Sequence, residues 1–541
     1  MPDQYESELR GATDAIVASL SRKRIVVAGP GTGKTRLFRL LLDHQTANGD
    51  CQLVLTFINN LKDELERSIG TLARVFTFHG YCRSLLHRLP ALRVGLSDRF
   101  RYFPPLKTLI ESDWQLLRYG AAPDFAGQMR RLELDEVTDF YLGRAEFYDA
   151  VAFDDSVLRA YRGLLQTQDQ IESYDLVVVD EYQDFNRLEA SLIDLLATSN
   201  SIIIAGDDDQ ALYAQLRDSS TEFIRDRWQG GVYDRFQLPF CMRCTEVIVS
   251  AVGDVIRRAV AAGNLRGRIN KDFRYYPPHK AEDSRKYPTI KLVATSVQST
   301  KANYIGRYIV QEVRKITLEE ITEARTAGFP TVLVIGPRQY LRQVQAELEA
   351  NEYVCEGRQE GESVSLERRD ALQVLKEDHE ANLGWRAMLE LDRPAFIEGV
   401  IGESAGRVGP LVRSLPDDYR EKVLAEVNEM PETAEPDRAT AEGEDKEKPT
   451  IKLTSFEGSK GLSAQHVFIV GLQEGDLPRN SGGITDLEIC KFLVALTRTR
   501  KQGHLIHTGR WSGQLKRPSI FLSWIATQRL ERITVNKTYW G

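Results

Sequence analysis

The sequence predicts an α/β protein built on two parallel sheets, each sheet domain carrying a largely helical insertion. Two sets of short β-branched runs, helical patterns between them and two long strand-poor stretches lead to this class. The first set is RIVVAG (24–29), QLVLTF (52–57), LVVVDE (176–181) and SIIIAGD (201–207). The second is KLVATS (291–296), TVLVIG (331–336), HVFIVGL (466–472) and GHLIHTG (503–509). Near-continuous apolar runs bounded by Gly, Asp or Pro suit strands covered on both faces. Amphipathic spacing, as in TRLFRLLLDHQ after Lys34 and LRQVQAELEANEY from Leu341, supplies the covering helices.

Taken in order, these elements divide the chain. Residues 1–80 and 171–236 are expected to form the first sheet domain, and 237–356 with 449–541 the second. The stretches 81–170 (RSLLHRL, DWQLLRYG) and 357–448 (LGWRAMLEL, REKVLAEV) read as the helical insertions. The second insertion ends in PETAEPDRATAEGEDKEK (431–448), with seven acids, three bases and no aromatic or large aliphatic residue. Such a stretch cannot bury enough apolar surface to fold and is expected to be a solvated acidic linker.

Composition narrows the class of protein. A chain of 541 residues exceeds one core, and 42% hydrophobic with 28% charged residues is ordinary for a globular protein. No run of 18 apolar residues occurs, and MPDQYESELR lacks the basic and apolar regions of a signal peptide, so a cytoplasmic protein with no membrane partner is expected. Six cysteines are too few for a disulfide scaffold and suit a reducing compartment. Cys241 and Cys244 form a CxxC without a second ligand pair for zinc, and read as ordinary thiols. The net charge of -7 argues against polyanion binding by the whole surface and leaves local basic faces open.

The chemistry begins at AGPGTGKT (28–35), which follows a strand and opens an amphipathic helix. That context makes a P-loop: the turn Ala28, Gly29, Pro30, Gly31, Thr32 and Gly33 and the helix start (Lys34, Thr35, Arg36) cradle phosphate with their backbone N–H groups, of which Pro30 has none, Lys34 reaches the β/γ oxygens, and Thr35 binds Mg²⁺. In LVVVDEYQD, Asp180 and Glu181 close a strand; with a P-loop upstream the first acid holds Mg²⁺ and the second polarises water, whereas the pair alone reads more often as a strand cap. Asp207–Asp209 close a neighbouring strand, where acids can orient loops around Mg²⁺. Gln210 can hydrogen-bond the γ-phosphate or the attacking water without adding negative charge; a plain polar turn is the alternative. FRYYPPHK (273–280), preceded by Arg266, Arg268 and Lys271, interleaves bases and aromatics; a solvated loop is the expectation and nucleic-acid contact the alternative.

In order along the chain, TFINNLKDEL (56–65), TFHGYC (77–82), DEYQD, GDDDQALY, LPFCMRC (238–244), IKLTSFEGSKGL and FLVALTRTRK (492–501) resemble the motifs of superfamily 1A DNA helicases of the UvrD/Rep/PcrA type. The resemblance implies two RecA-like domains, 1A and 2A, with insertions 1B and a reduced 2B. It implies an ATP site shared between them, with Lys34, Thr35, Asp180, Glu181 and Gln210 on one side and Arg243 and Arg498 reaching the γ-phosphate from the other. It also implies single-stranded or tailed duplex DNA across both domains, touched by Phe57, Asn59, Thr77, Phe78, His79 and Tyr213, with Ser459 and Lys460 coupling DNA to the ATP cleft. Core packing for Phe57 and Phe78, and a cap or interface role for His79, are the alternatives. The chain departs from the family pattern: no glutamine stands about twenty residues before Lys34, and Met242, Gln215, Leu216, Glu457 and Ser463 replace its usual adenine-stacking Tyr, aromatic platform, Arg, His and acid. The expected function is an ATP-dependent 3′–5′ translocase and helicase. The alternative is a DNA-stimulated ATPase subunit beside a nuclease or repair protein, in defence or DNA repair.

Overall fold

The computed structural model describes residues 2–45, 52–57, 59–357, 365–404, 409–430 and 447–540. Its first sheet has six strands: β1 (Lys23–Ala28), β2 (Gln52–Thr56), β3 (Arg74–Thr77), β4 (Leu176–Val179), β5 (Ile202–Gly206) and β6 (Asp234–Leu238). They run in the order β3-β2-β4-β5-β1-β6, every pair parallel. Alternate side chains enter different cores. Val26, Val54, Val178 and Ile203 pack under Leu37, Phe38 and Leu65 of the flanking helices, while Ile25, Leu53, Val177 and Ile204 face the opposite side with Leu188, Ile193 and Leu196. Burying one such side chain is worth roughly 1.5–3 kcal/mol, which is why both faces hold helices.

The second sheet has seven strands: β7 (Ile290–Thr295), β8 (Val332–Ile335), β9 (Cys355–Glu356), β10 (Ile451–Thr454), β11 (Ala464–Ile469), β12 (Thr499–Thr508) and β13 (Leu530–Val535). Their order is β9-β10-β8-β11-β12-β7-β13, again parallel throughout. Helices Tyr304–Val313 and Arg338–Ala350 cover one face, and Glu246–Ala261 with Asp486–Leu496 the other. Two RecA-like parallel sheets are therefore present, and β6 runs to Leu238, past the boundary expected at 236.

Between β3 and β4 lie helices including Leu106–Leu116, Glu136–Phe147 and Phe153–Gln166; between β9 and β10 lie Arg368–Glu377, Asn382–Asp392 and Asp417–Glu429. The two helical groups share one apolar core with the first sheet. A buried carboxylate, Asp113, joins them: it accepts from Arg144 Nε at 2.7 Å and Tyr148 Oη at 2.5 Å on its own side, and from Arg386 Nε at 2.6 Å on the other. The acidic linker expected at 431–448 lies outside the described residues, apart from its last two.

Candidate active site between the two sheets

Strand β1 ends at Ala28, and the loop that follows turns into the helix Lys34–Gln45. Gly31 and Gly33 take left-handed backbone angles, φ +71° and +89°, which side chains other than glycine's adopt at a cost. Space forbids a side chain there as well: a Cβ on Gly31 would sit 2.4 Å from Arg243 Cβ, and one on Gly33 2.5 Å from Met242 Cε. Thr32 Oγ1 donates to Gly29 O at 2.8 Å and closes the loop. In a parallel sheet such a loop sits at the carboxyl end of the strands, where ligands bind.

Strands β4 and β5 end beside it and bring the acids. Lys34 Nζ donates to Glu181 Oε1 at 2.6 Å and stands 3.4 Å from Asp180 Oδ1. Burial works against the Lys34 charge, but the two carboxylates outweigh it and hold the ammonium above its ordinary range. Burial pushes Asp180 up to about 6, partly offset by Lys34. Glu181 also suffers burial, yet Lys34 and Lys460 pull it below the usual carboxylate range and keep it ionised. Its backbone lies in the left-handed region, φ +54°, strain held in place by Gln183 Nε2 donating to Oε2 at 2.6 Å.

The second sheet supplies the opposite wall. Arg498, at the start of β12's turn, donates from Nη2 to Gln210 Oε1 at 3.1 Å and from Nε to Val494 O at 2.9 Å. Burial, reinforced by Arg243, lowers it to about 9. Lys460 reaches across to Asp184, to Glu181 Oε2 at 3.2 Å and to Gln210 O at 3.0 Å. These groups enclose a cavity of about 280 Å³ whose wall includes Lys34, Thr35, Asp180 and Glu181 from one side and Arg243 and Arg498 from the other. Nη1 of Arg243 is buried with no hydrogen-bond partner among the described residues, and the glycine loop leaves a cradle that none of their side chains fills. A triphosphate fits both features. Of the expected nucleotide residues, Pro30 to Thr35 line this cavity, while Ala28 is interior to the sheet, Gly29 abuts Phe273, and Arg36 is exposed on its helix.

Asp207–Asp209 require a correction. Their carboxylates are taken up by the chain's own cations rather than by loops around Mg²⁺. Lys271 Nζ lies 2.6, 2.7 and 2.8 Å from Asp207, Asp208 and Asp209, Arg268 Nε pairs with Asp209 at 2.8 Å, and Arg225 Nε with Asp208 at 3.0 Å. Three stacked acids at a strand end are tolerable because a buried ammonium sits among them. Lys271 is thus interior, and Arg274–Tyr275 forms a two-strand pair with Phe240–Cys241, so this segment is not a solvated loop.

The expected DNA residues divide. Phe78 is fully buried with its ring edge-on to Phe185 at 5.1 Å, so it packs the core and offers no face to a base. Ser459 is likewise interior, its hydroxyl donating to Phe456 O at 2.7 Å, and Lys460 is committed to the acids of the cleft. Thr77 caps the helix Phe78–Arg88 by accepting from Gly80 N at 3.2 Å. His79, which burial keeps well below its ordinary pKa and therefore neutral, contacts Arg217 Nη2 at 3.0 Å. Phe57 lies under that same guanidinium, 4.2 Å from its ring centre, and packs on Tyr213 at 5.4 Å. Tyr213 Oη donates to Glu457 O at 3.3 Å, joining the two sheet regions. The side chain of Asn59 lies outside the described residues.

Sequence reading missed two cavities where bases gather among acids. One, of about 570 Å³ at the carboxyl ends of β8 and β10, is lined by Arg338, Arg342, Arg479 and Lys491 with Glu457, Asp476 and Glu488. Another, of about 270 Å³, gathers Lys107, Phe153 and Arg217 with Arg130, which Asp154 holds. These cations are spread over distant segments, and no local run marks them.

Residues 12–215 match the AAA domain family. The "ATP-dependent DNA helicase PcrA" of Staphylococcus aureus (strain Mu50) is 26% identical over 231 residues, 35% of this chain and 32% of that protein; the namesake of Staphylococcus epidermidis (strain ATCC 12228) gives the same identity and coverage. The matched stretch thus spans about a third of the length of these relatives. Over these stretches the chain is thus similar to the AAA domain family and to the PcrA helicases, and its two parallel sheets enclosing one phosphate cradle agree with that similarity.

Proposed function

We propose that the chain is an ATP-driven motor that moves 3′ to 5′ on single-stranded DNA and separates tailed duplexes. The observation that carries this reading is the bond between Arg498 and Gln210, which spans the cleft from one sheet to the other. The proposed division is 1–80 with 171–238 for the first motor domain, 239–356 with 449–541 for the second, and 81–170 and 357–448 for the insertions.

Lys34 binds the β/γ-phosphates and, in doing so, releases Oε1 of Glu181, while Oε2 stays with Gln183 and Lys460. Glu181, ionised, accepts a hydrogen bond from the attacking water and receives its proton, while Gln210 orients that water. Arg243 and Arg498 oppose the charge that develops on the γ-phosphate; groups so placed are worth about 10³–10⁵ in rate. Thr35 and Asp180 would hold Mg²⁺, which neutralises charge on the phosphate oxygens when bound. Since both sheets must contribute cations, turnover requires the cleft to close, and release opens it. The cations along Arg338, Arg342 and Arg479 suit a phosphodiester backbone.

Displacement of a labelled strand from 3′-tailed and 5′-tailed duplexes tests this. We expect displacement from the 3′ tail only, and none with Lys34→Ala, whose ATP turnover falls by about 10²–10³. A second reading, a DNA-stimulated ATPase subunit with little unwinding and a nuclease or repair partner, is favoured by one observation. The turn after Tyr213 presents Gln215 and a 60% exposed Leu216 in place of an aromatic platform. DNA-stimulated turnover without displacement from either tail would favour that reading.

A further inference from the structure

The segment between helices Glu246–Ala261 and Pro277–Lys286, which the sequence marks by its interleaved bases and aromatics, belongs to the second half of the chain yet packs on the strand ends of the first sheet. Ile269 N donates to Asp208 Oδ2 at 2.9 Å, and the Phe273 ring fills the space beside Gly29 of the phosphate loop. Lys271 Nζ comes within 2.6 Å of Asp207 Oδ1, which also accepts from Asp209 N at 3.1 Å. The other oxygen, Asp207 Oδ2, accepts from Gln210 Nε2 at 2.8 Å, and Gln210 Oε1 accepts from Arg498 Nη2 at 3.1 Å. Asp207 is 1% and Gln210 5% exposed, so solvent competes little for these bonds. A carboxylate only accepts and a guanidinium only donates; an amide held between them has a single orientation.

We infer that Asp207, braced by Lys271, is a positioning residue for Gln210: it binds the amide nitrogen back and turns the amide oxygen toward the cleft, so that Gln210 meets the attacking water as a hydrogen-bond acceptor. An amide oxygen has two lone pairs and can accept from Arg498 and from water together. Water has two protons. Glu181 takes one and Gln210 Oε1 holds the other, which leaves a lone pair of the water to face the phosphorus. The role rests on the proposed ATPase, but the contact between Asp207 and Gln210 does not. Asp207→Asn inverts the arrangement with the least change in shape. The asparagine must keep its oxygen against Lys271 and Asp209 N, so its NH₂ group meets Gln210 Nε2, donor to donor. Gln210 then turns its amide over and presents Nε2 where the acceptor stood.

Kinetics and unfolding of the full chain read the role and the contact separately, in the unaltered protein, Asp207→Asn, Gln210→Ala and the double variant. We expect Asp207→Asn to lower kcat by about 10² and to move KM for ATP by less than about threefold, since Lys34 and the phosphate loop keep their own contacts. In the Gln210→Ala background the same change is expected to cost less than about twofold more, because no amide is left to misdirect. An unchanged kcat in Asp207→Asn, or a fall of similar size in both backgrounds, would overturn the positioning role. Urea unfolding reads the contact without turnover. The fall in midpoint caused by Asp207→Asn is expected to shrink by about half or more in the Gln210→Ala background, where no second NH₂ group opposes the new one. Equal falls in both backgrounds would overturn the contact. An unaltered chain that hydrolyses no ATP would count against the proposed function, and the unfolding cycle would still decide the contact.

Discussion

Lys34, Asp180 and Glu181 form a site that the folded chain holds at a cost. The Asp180 carboxyl sits at about 6 against an ordinary value near 4, with burial as the main cause. Its folded state therefore binds more protons than the unfolded state between about pH 4 and 6. This contribution is fully present below that window and is lost as pH rises through it. Asp180→Asn is expected to stabilise the chain at pH 7 by about 1–3 kcal/mol and to flatten the pH dependence between 4 and 6, while abolishing turnover. Thermal melts at both pH values check it, and an unchanged melting temperature at pH 7 would contradict the burial argument. Sequence reading found these residues because phosphate chemistry demands particular types at fixed spacing. It did not find the partners of Asp207–Asp209, since Lys271, Arg268 and Arg225 come from separate segments and meet only in the fold. For Phe78 it left a DNA contact and core packing both open, because a TFH motif does not reveal which face its helix buries, and the ring is in the core.

Among elements, the strands with continuous apolar runs were legible and those at or near the sheet edges were not. DRFQL in β6 and LERITV in β13 carry exposed charged residues because an edge or single-sided strand needs no second apolar face, and this masks the signal. Two elements depend on single buried cations. Lys271→Met would leave three carboxylates at the end of β5 with only Arg268 and Arg225, and is expected to cost about 3–5 kcal/mol in urea unfolding and to lower turnover by loosening Gln210. Arg386→Ala would strip Asp113 of its partner from the other insertion, at a similar cost of about 3–5 kcal/mol. Replacing Asp113, Arg144 and Arg386 together by apolar residues is expected to recover most of that loss, since Asp113 also holds the buried Arg144, and failure to recover any would show that the cluster acts beyond charge compensation.

On the scale of the whole molecule, the two sheets and their shared cleft follow from an order of motifs readable in the sequence. The packing of the two insertions on each other did not follow, because it depends on residues such as Asp113 and Arg386 that lie 273 positions apart. That packing ties the insertions together, while Tyr213–Glu457, Arg498–Gln210 and the contacts of Lys460 with Asp184 and Glu181 are among the bonds that join the two sheet regions. The central claim is that one nucleotide is gripped from both sheets. The most direct measurement is ATP turnover of Arg498→Ala with and without single-stranded DNA, alongside nucleotide affinity by calorimetry. The account predicts turnover lowered by about 10³ or more with affinity changed far less, because Arg498 acts on charge that develops only during transfer. Near-normal DNA-stimulated turnover in that variant would contradict it.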